Sequence, residues 1–331
     1  MEEVSDKTVW ILSDGLAGHY NQSIGISNAL QTRMPHDAVI INIRLKYKFL
    51  RSLMRLIANH LPFLLGYRSL SFFYQHDTLP QTTPSLIISA GGNTLFANIA
   101  LSKITGQTNS FSGTLKGYHS QSITTVFTVT PLKNVPNNTV LDLPPANIGT
   151  SENNNPIQPF YTLLIGGDGA GYIYSDQDWA QLAQAMSSIA QRDNITWKVT
   201  TSRRTGEAVE RKLESLLSKD CIAEAIWYSS NPQKVVKRFL AEGQVIFCTE
   251  DSLTMVSEAI YGHKPAVTLQ PKVMNPDSND SQALDKYQSK KYIIRCPIAE
   301  LHSTSVEADL FCKTYPDIPN QIASALVSKI K

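Results

Sequence analysis

Residues 245–269 read VIFCTEDSLTMVSEAIYGHKPAVTL, from Val245 to Leu269. Val245–Thr249 is a short bulky run that stops at two acids, Leu253–Tyr261 reads as a helix, and Pro265–Leu269 reads as a second short strand. Strand, helix and strand in one brief stretch predict a βαβ unit of a parallel sheet. The same alternation extends outward in both directions. Upstream, Tyr161–Ile165, Ile195–Thr200 and Ile222–Tyr228 read as strands. Between them lie a helix with Trp179, Leu182, Ala183, Met186 and Ile189 on one side, and helices over Gly206–Leu217 and Pro232–Leu240. Nearer the amino terminus, Thr8–Ser13, Ala38–Ile43, Ser85–Ala90 and Ile123–Val129 read as strands, and Asn21–Gln31 as a helix. Apolar strands that do not alternate, separated by helices, predict parallel sheets covered on both faces.

Residues 144–159 interrupt this pattern with Pro144, Pro145, Pro156, Pro159 and the Asn153–Asn155 run, and read as a linker. The expected class is therefore α/β with two Rossmann-like βαβ domains facing a central cleft. Residues 1–155 form the first domain, 156–315 the second, and 316–331 a C-terminal helix expected to pack back on the first. That helix carries Ile322, Ala323, Leu326 and Ile330. Open α/β sheets bind ligands beyond the carboxyl ends of their strands, which directs attention to the loops there.

Composition excludes several classes of function. The 331 residues are 42% hydrophobic and 18% charged, too apolar for a disordered chain. Thirty basic against 28 acidic residues leave a net charge of +2, so no overall field selects nucleic acid. Cys221, Cys248, Cys296 and Cys312 form no CxxC pair, which disfavours a disulfide framework or a structural zinc site and fits a reducing compartment. Met1–Lys7 is polar and acidic, unlike a signal peptide, and no apolar run approaches the ~20 residues of a spanning helix. A cytoplasmic protein, at most peripheral on a membrane, is expected.

Five loops could carry chemistry. The first, Ser13-Asp14-Gly15-Leu16-Ala17-Gly18-His19 followed by Tyr20-Asn21-Gln22, joins a strand to a helix. Gly15 and Gly18 permit close backbone approach, helix-start N–H groups favour an anion, and His19 suits a general base. A tight turn with a capping His is the plainer reading. The second loop, Gly91-Gly92-Asn93, holds the equivalent place after the third strand. The third, Gly166-Gly167-Asp168-Gly169-Ala170-Gly171, could form a wide anion-binding nest or a hinge. In the fourth, Ser202-Arg203-Arg204, adjacent cations beside a helix start suit a diphosphate, unless they are merely solvated. The fifth sets Glu250 on a loop with Asp251, Ser252 and Met255, and Glu258 two turns into the helix. The two glutamates suit sugar or ribose hydroxyls, with backbone N–H groups near Ser252 for a phosphate. The alternative makes Glu250 and Asp251 partners of the helix dipole.

The Glu250-x7-Glu258 pair, with Gly262-x-x-Pro265 after it, resembles the donor-site motif of GT-B glycosyltransferases. The Gly15-to-His19 loop is similar to that of the lipid-linked GlcNAc transferase of peptidoglycan synthesis. Taken together, WILSDGLAGHYNQS, GGDG, TSRRT and TEDSLTMVSEA with G-x-KP resemble the "elongated mitochondria"-like mitochondrial-fission family, from about Trp10 to Pro265. That family's bacterial members are linked to outer-core lipooligosaccharide assembly. The resemblance implies a GT-B fold whose C-terminal domain binds a nucleotide sugar and whose N-terminal domain binds the acceptor. It further implies Glu258 at the ribose, Arg203 or Arg204 at the diphosphate, and His19 or Asp14 as base.

Arg44–Arg68 holds six Lys or Arg and no acid, with Phe49, Leu50, Leu53, Met54 and Ile57 among them. A basic amphipathic segment suits an anionic membrane surface better than nucleic acid, although a core-packed helix has the same pattern. Asp176-Gln177-Asp178 is a DxD triplet, but it opens a helix, so capping explains it better than metal binding. The expected activity is inverting, metal-independent glycosyl transfer without a cofactor, from a nucleotide sugar to a lipid-linked or lipooligosaccharide acceptor. A non-catalytic membrane-recruiting protein of the same fold, and a sugar-nucleotide epimerase, are the alternatives.

Overall fold

In the computed structural model, residues 7–147 and 159–330 are described. Contacts divide the chain into two compact units, Met1–Asn147 with Pro316–Lys331 and Ile148–Tyr315. The expected boundary at 155/156 and the Asn153–Asn155 run lie outside the described residues.

The first unit is built from β1 (Thr8–Ser13), α1 (Ala17–Gln31), β2 (Asp37–Leu45), α2 (Arg51–His60), α3 (Tyr67–Phe73), β3 (Tyr74–His76), β4 (Leu86–Ala90), α4 (Leu95–Thr105), β5 (Thr108–Ser112), β6 (Thr125–Thr128) and β7 (Asn138–Val140). Among the described residues these strands form a seven-stranded sheet in the order β3-β2-β1-β4-β5-β6-β7. All neighbours are parallel except β2 and β3. β4 is buried throughout, as a central parallel strand covered on both faces must be. The chain order reverses between β1 and β4. In open α/β sheets a crevice opens at such a reversal, beyond the strands' carboxyl ends.

The second unit comprises β8 (Phe160–Ile165), β9 (Tyr172–Ile173), α5 (Asp176–Asp193), β10 (Thr196–Thr201), α6 (Glu207–Leu216), β11 (Ile222–Ile226), α7 (Val236–Glu242), β12 (Ile246–Thr249), α8 (Leu253–Tyr261), β13 (Ala266–Gln270), β14 (Val273–Met274), α9 (Ser278–Ser289) and β15 (Ile294–Pro297). Its main sheet, β11-β10-β8-β12-β13-β15, is parallel and follows the Rossmann order 3-2-1-4-5-6 when its strands are counted along the chain. Here the reversal falls between β8 and β12. The small strands β9 and β14 pair antiparallel as a separate ribbon.

The last helix, α10 (Ile318–Val327), returns to the first unit and packs on α1 through buried Ile322, Ala323 and Leu326. Gly25 of α1 faces the Ala146 backbone, where a Cβ would stand 2.5 Å from its atoms.

Several expected elements shift. The first helix begins at Ala17 rather than Asn21, so Gly18 and His19 lie in its first turn instead of a loop. The expected Pro232–Leu240 helix begins at Val236, and the Ile123–Val129 strand shortens to β6. Strands β3, β5, β7 and β15 and helix α4 emerge from stretches with weaker patterns. Asp178 behaves as a cap: its carboxylate accepts from the Ser175 amide at 2.8 Å, while Ser175 Oγ accepts from the Asp178 amide at 3.2 Å. This reciprocal box satisfies helix-start donors and leaves the DxD triplet a structural explanation.

Candidate functional site

The two reversal points gather most of the expected residues, each within its own unit. In the first unit β1 ends at Ser13 and β4 at Ala90, so Asp14 and Gly15 flank Gly91, Gly92 and Asn93. His19 Nδ1 lies 2.9 Å from Asp14 Oδ2, and its imidazole lies over Gly91. A Cβ on Gly91 would stand 2.2 Å from that ring, and Gly91 has φ +80°, so both volume and backbone favour glycine. Asp14 is held from further sides: Asn93 Nδ2 donates to Oδ2 at 3.0 Å, and the Leu16 amide donates to Oδ1 at 3.2 Å. Burial pushes the Asp14 carboxyl up, but the hydrogen bond and charge of His19, with Asn93 and Leu16, outweigh it and hold it below the ordinary aspartate value. Where Nδ1 donates to this carboxylate and Nε2 carries no proton, the ring's lone pair sits on Nε2. That is the arrangement of an oriented general base.

Asn93 is itself fixed. Arg51 at the start of α2 donates to Asn93 Oδ1 at 2.7 Å, and Tyr74 Oη donates to its carbonyl at 2.7 Å. Neither Arg51 nor Tyr74 is singled out by sequence; their role depends on contacts 42 and 19 residues away. Gln22 Oε1 accepts from Ser112 Oγ at 2.8 Å, which ties α1 to the end of β5. Asn21 and Gly18 lie half-buried on α1, and Gly15 and Gly92 are exposed.

In the second unit β8 ends at Ile165 and β12 at Thr249. Gly166 packs against the Asp251 carboxylate, where a Cβ would stand 2.0 Å from Oδ2. Asp251 forms an ion pair with Arg204 across the reversal point. Burial still dominates and raises the Asp251 carboxyl above its ordinary value, despite Thr249, Arg204 and the Gly167 amide. Gly167, at φ +127°, lies beside the Arg204 carbonyl, 2.6 Å from where its Cβ would be. Ser202 Oγ and Thr205 Oγ1 donate to the Gly166 carbonyl at 2.6 and 2.7 Å, so Ser202 fastens these loops together. Asp168 is exposed and accepts from the Tyr174 amide at 2.9 Å, closing the turn that contains Gly169. Arg203 is exposed, and Arg204 is 41% exposed at its side chain. Ser252 caps α8, accepting from the Met255 amide at 3.4 Å, and both residues are half-buried. Glu258 is half-buried in the second turn of α8.

Glu250 corrects the expectation of two glutamates reaching one ligand. Its side chain is fully buried, and both oxygens are occupied. Oε1 accepts from Thr268 at 2.6 Å and Arg295 Nε at 2.8 Å; Oε2 accepts from Arg295 at 2.9 Å and from Tyr172 and Gln270 at 3.2 Å. Removing one partner of a buried pair costs about 3–5 kcal/mol, so this residue holds β12, β13 and β15 together and has no acceptor capacity left for a ribose. Asp251 is likewise internal, its carboxylate paired with Arg204.

Among the described residues no three His, Cys, Asp or Glu side chains converge to hold a metal ion. A cavity of about 450 Å³, lined by Pro159, Asn194, Thr196 and Cys221, lies at the opposite, amino-terminal edge of the second sheet, away from these loops.

Residues 128–307, more than half of the chain, match the profile of the mitochondrial fission ELM1 family. The chain belongs to that family. An uncharacterized protein of Rickettsia prowazekii (strain Madrid E) is 20% identical to this ELM1-family chain over 313 residues, 81% of this chain and 84% of that one. In fold, it is similar to the UDP-GlcNAc 2-epimerase of Methanocaldococcus jannaschii, with TM-score 0.55 and 13% identity over 96% of this chain and 98% of that one. It is also similar to the glycotransferase of kitacinnamycin, with TM-score 0.52 and 11% identity over 97% and 94%. The fold is GT-B.

Proposed function

We propose that this ELM1-family chain is a glycosyltransferase that uses a nucleotide-sugar donor, bound by the second unit, and an acceptor hydroxyl presented to the first. The carrying observation is the His19–Asp14 dyad at one reversal point, with an arginine beside a capped helix start at the other. His19 Nε2 takes the proton of the acceptor hydroxyl as that oxygen bonds to the anomeric carbon. The bond from this carbon to the diphosphate breaks, and the leaving nucleotide keeps the electron pair. In-line attack inverts the anomeric centre. Arg203, Arg204 and the N–H groups at the start of α8 offset the charge gathering on the diphosphate, so the step invokes neither a metal nor a cofactor. Glu258 accepts from the ribose hydroxyls. The acceptor is a lipid-linked or lipooligosaccharide glycan at the cytoplasmic membrane face, met through the anionic surface that Arg44–Arg68 attracts. Among the described residues no helix is long and apolar enough to cross a membrane.

A thermal-shift screen against uridine- and adenosine-diphosphate sugars tests this reading. A native-state ligand raises the melting temperature, by about 2.7 kcal/mol of stabilisation at a hundredfold excess over Kd. At least one nucleotide sugar is expected to do so. No shift with any of them would leave the membrane-recruiting alternative, and donor turnover without an acceptor would mark an epimerase.

A further inference from the structure

Between Asp37 and Asp77 the chain contains no carboxylate side chain, while Arg44, Lys46, Lys48, Arg51, Arg55 and Arg68 all fall there. Residues 46–73 leave the first sheet after β2 and return at β3 as α2, α3 and two short 3-10 turns. The inner side is ordinary core: Met54, Ile57, Ala58, Leu70 and Phe73 are buried against the first unit. The outer side is not an ordinary solvated face. Phe49 is 81% exposed, Phe63 78%, and Tyr67 and Phe72 57% each, with Leu53, Leu56 and Leu64 also exposed. The Tyr47 ring lies 5.9 Å from Phe49 and 6.4 Å from Phe72, so these three exposed side chains form one aromatic cluster. Single exposed apolar residues need no explanation, but a cluster of rings set among cations does. The complementary surface must offer hydrocarbon and negative charge together. An anionic bilayer does so, with aromatic rings placed at its interface and cations at its headgroups.

We propose that Tyr47, Phe49 and Phe72 insert into the interfacial layer of an anionic bilayer, with Arg44, Lys46 and Lys48 at headgroup depth. This goes beyond electrostatic attraction, because the inserted rings hold the protein when salt screens the charges. Arg51 opens α2 in the same segment and is linked through Asn93 to Asp14 and thence to His19, at 2.7, 3.0 and 2.9 Å. Docking therefore seats the dyad near the headgroups and selects an acceptor whose reacting hydroxyl lies close to its lipid anchor. That selection rests on the glycosyl-transfer reading; the docking itself does not.

The full chain, mixed with phosphatidylglycerol-containing or pure phosphatidylcholine vesicles, tests the insertion by co-sedimentation. Wild-type protein is expected to bind the anionic vesicles preferentially and to retain part of that binding at high salt. Phe49→Ser and Phe72→Ser should each lower the partition about tenfold, as expected for losing a buried aromatic ring. Both positions are exposed, so melting temperatures should hold. The tryptophan emission of F49W should shift to the blue on the same vesicles and be quenched by brominated acyl chains. Serine variants that sediment like wild type, or F49W emission that stays unmoved, overturn the proposal. So does a wild-type dimer in light scattering that F49S makes monomeric without vesicle binding, since the face would then belong to a second copy. Nucleotide-sugar thermal shifts follow the second unit and remain interpretable whichever result is obtained.

Discussion

At the first unit's reversal point an imidazole from the β1 side lies over Gly91; at the second, a carboxylate from the β12 side lies over Gly166. Each unit thus brings its two flanking loops together through one side chain occupying volume that a glycine leaves vacant. The chemistry differs. His19 is 32% exposed at its side chain, whereas Asp251 is fully buried and pairs with Arg204. One packing device holds a part-exposed imidazole in one unit and a buried carboxylate paired with an arginine in the other. Fold alone would have left the two reversal points indistinguishable.

The glycines offer the strongest way to break this comparison. Gly166→Ala should cost about 3 kcal/mol in urea unfolding, because a Cβ must displace a buried, paired carboxylate. Gly91→Ala should cost about 2 kcal/mol from ring displacement plus left-handed backbone strain. Wild-type stability in both would mean that neither glycine is reserved for its neighbour.

A split in kinetic constants sharpens the comparison next. His19→Ala should lower kcat about 10²–10⁴-fold with donor affinity in calorimetry unchanged. Arg204→Ala should instead weaken nucleotide-sugar binding about tenfold through loss of a charge-assisted contact. If H19A loses donor affinity and R204A keeps it, the roles of the two units are reversed.

The smallest effect is in acid titration of stability. Asp14 is depressed in the folded state, so its contribution is present above the ordinary aspartate value of 3.8 and fades as pH falls through the lower folded value. Asp14→Asn should therefore be less stable than wild type near neutrality, with the deficit closing in acid. Asp251 is raised, so its own contribution to stability falls as pH climbs from the ordinary value through the folded one. Asp251→Asn should gain on wild type over that climb. Parallel pH profiles for the two variants would refute the contrast.

Much of the site could be located in the sequence because glycine-rich turns after apolar runs are local features. Asp14, His19, Gly91, Asn93, Gly166 and Arg204 stand out in this way, and the fold places them at the two reversal points. Glu250 was misleading because its spacing from Glu258 suits a ligand, whereas its burial is set by Arg295 from a strand 45 residues later. Arg51 stood out only as one of the cations of Arg44–Arg68, and Tyr74 not at all, since what each does beside Asn93 is decided by a partner on another element. The first helix begins earlier than expected because the Asp14 carboxylate accepts the Leu16 amide and supports its uncapped start.

By itself the sequence determined the α/β alternation, the parallel sheets and the candidate loops, because hydrophobic period and turn residues act over a few positions. Only the tertiary structure decided strand order, and with it which loops meet at each reversal. It also decided which of the charged residues in those loops stay exposed and which are neutralised inside the protein. Both follow from contacts between residues far apart in the chain, where burial and pairing, rather than residue type, set what a side chain can do.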